Sequence, residues 1–236
     1  MLTGGNAFDV FPPESVKEEI RRWPAEQAPR MRDDFTRINF GWLGYRAPDE
    51  NTIGTQPDML EYATSRAAGW DCPVSLNANL ERFEAHPRTP DNLEVLRRGE
   101  EVRIQKWLTV EQKEILRDLE QEHILLLDEQ NEFELVPYDQ IAEVANGSKE
   151  IRAFSFQRKG DFYVVFWHIS ENKKLELPIY PENITLLENI GMEVSFQTSQ
   201  NKSNITVPVG NRRFLKIPNV KKEELINAFR NGRLVN

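Results

Sequence analysis

Asp49, Glu50, Asp58, Glu81 and Glu84 are the acids of the first half of the chain that follow its two most strand-like segments. Two carboxyl groups held on either side of a reacting bond divide proton transfer from nucleophilic attack. Position alone therefore allows Asp49 or Glu50 to pair with Glu81 or Glu84 in a small self-sufficient enzyme. Asp58 has a competing role. In Thr55-Gln-Pro-Asp58 a hydroxyl, a first-turn proline and an acid three residues on form the capping pattern of a helix start. Asn77, Asn79 and Glu81 offer hydrogen bonds to ligand hydroxyls, and Trp42 offers an aromatic face to the apolar side of a ring. The structural alternatives are turn and capping roles for the asparagines and a packing role for Trp42.

Other chemistries find little support. His86, His123 and His168 lie far apart without paired-ligand spacing, and Cys72 is the only cysteine. No metal, cofactor or disulfide framework is assigned. No glycine-rich phosphate loop follows a strand, and no Ser-His-Asp or Cys-His spacing stands out. The catalytic residues are unknown at this level.

The elements that must position these residues change character along the chain. A helix is expected over residues 13–23, with Val16, Ile20 and Trp23 on one stripe and Pro24 as its stop. Residues 37–45 read as a buried strand, and a helix with the stripe Leu60, Ala63, Ala67 and Trp70 follows. Residues 72–77 read as a second parallel strand. A helix over 90–106 follows, with Gly99 on its packed stripe leaving a vacancy that a larger residue would fill. Thr109-Val-Glu-Gln112 is a further capping box. Past residue 120 short strands with polar turns predominate, Lys159-Gly160 marking a hairpin, and a closing helix spans 221–230.

The expected fold class is α/β followed by all-β. Residues 1–108 form units of an incomplete (β/α) barrel, 109–120 a linker helix, and 121–236 an antiparallel β-sandwich with a closing helix. The formal net charge of -8, with 30 basic residues scattered among 38 acids, argues against a nucleic-acid partner. No apolar run approaches the ~20 residues that span a bilayer, so no membrane partner is expected. The residues after Met1 do not form a signal peptide, although a missing N-terminal part could carry one, and localisation stays open.

Asn39-Phe-Gly-Trp-Leu-Gly-Tyr45, Thr55 through Leu76, and Asn92 to Arg103 leading into the strands resemble the C-terminal portion of glycoside hydrolases built as a barrel plus a β-sandwich, of the α-galactosidase and α-L-fucosidase type. The resemblance implies that 37–45 is the seventh barrel strand, 72–77 the eighth and 90–106 the last helix. It also implies a carbohydrate ligand, with Trp42, Asn77, Asn79 and Glu81 in part of a sugar pocket. A complete barrel takes about 200 to 250 residues. The nucleophile and acid/base positions of such enzymes have no counterpart here, so the implied protein is a fragment without its catalytic pair. Its exposed barrel strands invite self-association. The alternative is a non-catalytic carbohydrate-binding or interaction protein whose β-sandwich is the working module, marked by exposed aromatics on that module.

Overall fold

Three strands in the first part of the chain run parallel, in the order β1 (Asn6–Ala7), β2 (Gly41–Gly44) and β3 (Val74–Asn77). The structure, a computed structural model, describes residues 6–8, 11–22, 40–118, 120–127, 132–180, 182, 184–189, 192–198, 204–218 and 220–235. Helices follow the strands: α1 (Val16–Arg22) after β1, α2 (Pro57–Gly69) after β2, and α3 (Leu80–Ala85) and α4 (Thr89–Ile104) after β3. Helix α5 (Val110–Arg117) comes next. Trp23, Pro24 and residues 37–39 of the expected first strand lie outside the described residues. The short strand β1 and helix α3 were not expected from the sequence.

The chain divides into two compact units, the first comprising Met1–Leu125 and Phe133–Leu135, the second Leu126–Glu132 and Val136–Asn236. In the first, Leu43 of β2 and Ala63 and Ala67 of α2 share an apolar core with Phe8, Ile20 and Val95. Helix α2 is buried at every position from Pro57 to Gly69. Its charged side chains are therefore held by partners. Lys17 Nζ lies 2.8 Å from the fully buried Asp58 carboxylate, and a Glu61 oxygen accepts the Leu125 amide at 2.8 Å. Arg66 donates to the Leu116 carbonyl and, at 2.7 Å, to that of Gln121.

This corrects the reading of Asp58 as a helix cap. The N-cap of α2 is Gln56, without a side-chain capping bond, and Asp58 forms a buried ion pair. Thr55 instead ties the strand end to the helix, its hydroxyl donating to the Gly44 carbonyl and accepting the Arg46 amide, both at 3.0 Å. The capping box of α5 forms as expected, with Thr109 Oγ1 accepting the Gln112 amide at 3.2 Å and Gln112 Oε1 accepting the Thr109 amide at 2.9 Å.

The second half of the chain is strand-rich. One seven-stranded sheet has the order β10-β9-β13-β7-β6-β5-β4, built from β4 (His123–Leu127), β5 (Phe133–Gln140), β6 (Ile151–Arg158), β7 (Asp161–His168), β9 (Thr185–Asn189), β10 (Met192–Val194) and β13 (Arg213–Ile217). A four-stranded antiparallel sheet, β11-β12-β8-β14, contains β8 (Lys173–Leu177), β11 (Gln197–Thr198), β12 (Ile205–Val209) and β14 (Arg233–Val235). Lys159 and Gly160, both at positive φ, form the tight turn between the antiparallel strands β6 and β7. Val164, Phe166 and Leu215 of the larger sheet share one apolar cluster with Leu175, Leu177 and Val207 of the smaller. Phe229 of the closing helix α6 (Lys222–Arg230) packs edge-on against Phe166, with centroids 5.5 Å apart. The side chains of Tyr138, Phe154 and Trp167 stack in series on β5, β6 and β7.

Gly99 is a second correction. A Cβ built there would stand 2.6 Å from Thr64 Cβ, so α4 meets α2 with no vacancy between them. Thr64 cannot swing away freely, because its hydroxyl donates to the Leu60 carbonyl at 2.8 Å. Gly99→Leu should therefore destabilise the protein by about 1–3 kcal/mol or more, overpacking outweighing the ~1 kcal/mol gained in helix propensity. Chemical denaturation of the two proteins measures this, and a stabilised variant would contradict the close contact.

Candidate functional site

Alternation along β2 and β3 sends residues to opposite faces of the parallel sheet. Leu43, together with Val74 and Leu76, joins the core shared with α2. The other face carries Trp42 beside Ser75 and Gly44 beside Asn77, which are register partners in the two strands. Trp42 is 44% exposed, and Asn77 at the end of β3 is exposed. Trp42 and Asn77 thus share one face of the sheet, with Asn77 at the C-terminal end of β3, the end where α/β folds place their ligands, and Trp42 earlier along β2. Ser75, half-buried and level with Trp42, was not singled out in the sequence. The strand register is the signal that finds it.

Asn79 and Glu81 lie on the connection beyond β3. Asn79 is the N-cap of α3, its Oδ1 accepting the Arg82 amide at 2.9 Å, and Glu81 is exposed in the first turn of that helix. The capping alternative thus describes Asn79 Oδ1, while its amide nitrogen is not used in that bond. The other acids separate. Asp49 Oδ1 closes a turn by accepting the amides of Asn51 at 2.7 Å and Thr52 at 3.1 Å. Glu50 and Glu84 are exposed, and Asp58 is buried against Lys17.

The loop between β2 and α2 is braced. Glu14 Oε1 accepts both the Thr52 hydroxyl and the Ile53 amide at 2.6 Å. Gly54, at φ +70°, has Pro48 N only 2.6 Å from the place of a Cβ, so a side chain is sterically excluded.

Behind the face, a buried polar chain joins β2, α3 and α4. Thr89 Oγ1 donates to the Phe83 carbonyl at 2.7 Å, which commits its only proton. The Tyr45 hydroxyl, 2.7 Å from the same oxygen, is therefore the donor in that contact. It accepts in turn from Asn92 Nδ2 at 3.1 Å, and the same nitrogen donates to the Thr55 carbonyl at 2.8 Å. Burial pushes the Tyr45 phenol up from its ordinary pKa. Its ring lies 4.8 Å from that of Phe83 and 5.2 Å from that of His86, which seats the short helix α3.

His86 closes the network. Its Nδ1 accepts the Arg88 amide at 3.0 Å, so the proton sits on Nε2, which donates to the Thr55 carbonyl at 2.7 Å. Burial, reinforced by the Arg88 charge and opposed by the Thr55 hydrogen bond, pushes its pKa down to about 4. The sequence singled out none of Tyr45, Thr89 and Asn92, and His86 only as a discarded metal ligand. Hydroxyl, amide and imidazole side chains clustered at strand and helix ends are the only hint of the network there. Among the described residues no group of His, Cys, Asp and Glu suits a metal ion.

A histidine with a depressed folded-state pKa favours folding fully above its ordinary value of 6.5, and that contribution erodes as pH falls towards 4. The loss amounts to about 3 kcal/mol over this window. His86→Gln should remove that share of the pH dependence. Denaturation midpoints across the window, compared between the two proteins, check it; parallel curves would show that His86 is not held neutral.

No protein-family model matches the chain. A local segment is 31% identical over 93 residues to the isoleucine–tRNA ligase of Alcanivorax borkumensis, covering 38% of this chain but only 9% of that enzyme. Among solved structures, AmyP in complex with maltotriose is similar at 12% identity and a TM-score of 0.29, over 90% of this chain and 50% of that one. The α-amylase of Geobacillus thermoleovorans with acarbose gives 11% and 0.30, and an Anoxybacillus α-amylase 8% and 0.28. The chain spans 47% and 46% of those two. Superpositions at this level do not define a shared fold.

Proposed function

We propose that the first unit is the closing part of a (β/α)-barrel glycoside hydrolase, contributing a sugar-facing surface without the catalytic carboxyl pair. One observation carries this reading. Trp42 and Asn77 stand on the exposed face of a sequentially ordered parallel sheet, with the helix α2 packed on the other face. In a closed barrel of eight strands that face lies inside, and ligands collect at its C-terminal rim. Three parallel strands occur among the described residues, so the surface is one segment of such a rim.

Each candidate then has a role. Trp42 offers its ring to the apolar face of a pyranose, and the Asn77 amide bonds ring hydroxyls. Asn79 contributes its amide nitrogen while its oxygen caps α3, and Glu81 accepts from hydroxyls at the rim. Attack and protonation fall to residues that this chain does not supply. The strand-rich half is the accessory β-sandwich of the same enzyme. The edge of this sheet is also where further strands, or a second copy, would pair.

A panel of nitrophenyl glycosides tests the reading. The chain alone should give turnover at background level, and Glu81→Gln should leave that level unchanged. Turnover well above background that Glu81→Gln abolishes would instead establish a self-sufficient small enzyme with Glu81 in its acid pair.

A further inference from the structure

We propose that the second unit carries a separate binding site for a single neutral pyranose ring, in a depression between the ends of β8 and β13 and helix α6. Strand β8 leaves its sheet through Pro178, where the Ile179 amide turns back to the Leu177 carbonyl at 2.9 Å, and Tyr180 follows at 65% exposure. Strand β13 leaves the other sheet through Pro218. With α6 these segments border an open depression of about 270 Å³.

The floor of this depression is the core itself. Ile217 and Leu225, 5% and 1% exposed, line it and belong to the cluster shared by both sheets. The depression persists because the residue of α6 beside them is Ala228, where a larger side chain would fill it. Prolines at both strand exits place apolar rings on the walls without adding backbone donors.

The rim has two chemically distinct groups. Tyr180 has no ring or hydrogen-bond partner among the described residues. Glu224 is the one charged lining residue and has no ion pair among the described residues, although its helix neighbour Lys222 reaches Asp139 at 2.6 Å. An occupant must therefore present an apolar face to the tyrosine and prolines, and hydrogen-bond donors to a carboxylate. A pyranose does both, with C–H groups on one face and hydroxyls at the edge. The volume lies below the ~300 Å³ at which drug-sized sites begin, which suits one ring. An organic cation fits less well, since one aromatic is no cage and an exposed carboxylate holds a cation weakly. The inference rests on the second unit alone and is independent of the barrel reading.

The test is an amide-resolved NMR titration of the full chain with methyl α-D-glucopyranoside and methyl β-D-galactopyranoside, with benzylammonium as the cationic control. At least one glycoside should give saturable shifts at Tyr180, Val220 and Glu224 with a millimolar Kd, as a single ring affords. Tyr180→Ala and Ala228→Phe should each weaken it at least about tenfold. The first changes an exposed side chain and leaves the fold intact. Absence of saturation for both glycosides up to about 0.1 M, which is far above a millimolar Kd, overturns the proposal. So do shifts indifferent to Tyr180→Ala, and so does saturation by benzylammonium alone.

Discussion

The burial of α2 along its whole length is the constraint on which the first unit depends. A helix enclosed on every side needs a partner for each polar group, and this one carries Asp58, Glu61, Thr64, Ser65 and Arg66. Lys17 answers Asp58, the Leu125 amide answers Glu61, and the carbonyls of Leu116 and Gln121 answer Arg66. Removing one partner of a buried charge costs about 3–5 kcal/mol, because the other stays desolvated and unpaired. The partners lie on α1, at the end of α5, on the connection that follows it and in the middle of β4. This ion pair and these hydrogen bonds therefore set where the segments can stand around α2.

That arrangement also sorts the acids between structure and surface. Asp58, at the start of the helix, is drawn into the interior, and Asp49 closes the turn before it. What remains at the strand ends is polar and aromatic, with Trp42 and Asn77 on the sheet and Asn79 and Glu81 just beyond. The chain of hydrogen bonds from Asn92 through Tyr45 and Thr89 to the Phe83 carbonyl holds α3, a helix that buries no residue of its own. The rim owes its position to these buried polar contacts together with the packing of the Tyr45 ring on Phe83 and His86.

The strand-rich half is organised differently. Its core side chains are almost wholly apolar, and packing of two sheets and a helix on one cluster holds it together. On the opposite side of β6 and β7 the stacked rings of Phe154 and Trp167 add an aromatic layer, so these strands are buried on both faces. Ala228 can leave a depression at the end of the core without leaving a polar group unpaired.

Local chemistry made several elements readable from the sequence. The capping box of α5, the Lys159-Gly160 turn and the closing helix each depend on residues within a few positions of one another. The apolar character of β2 and β3, and the change to short strands past residue 120, follow from composition alone. Trp42 and Asn77 could be placed near strand ends, but not on one face, because register is a contact between strands more than thirty residues apart. Asp58 and Gly99 were misread for the same reason. The partner of Asp58 is Lys17 on another helix, and the neighbour of Gly99 is Thr64, so neither window contains the atom that matters. By itself, then, the sequence determined most of the helices and strands, though not β1 or α3, since caps, turns and periodicity act over a few residues. The tertiary structure alone decided which polar residues are buried, paired or left open, since desolvation and steric contact depend on what distant segments bring alongside.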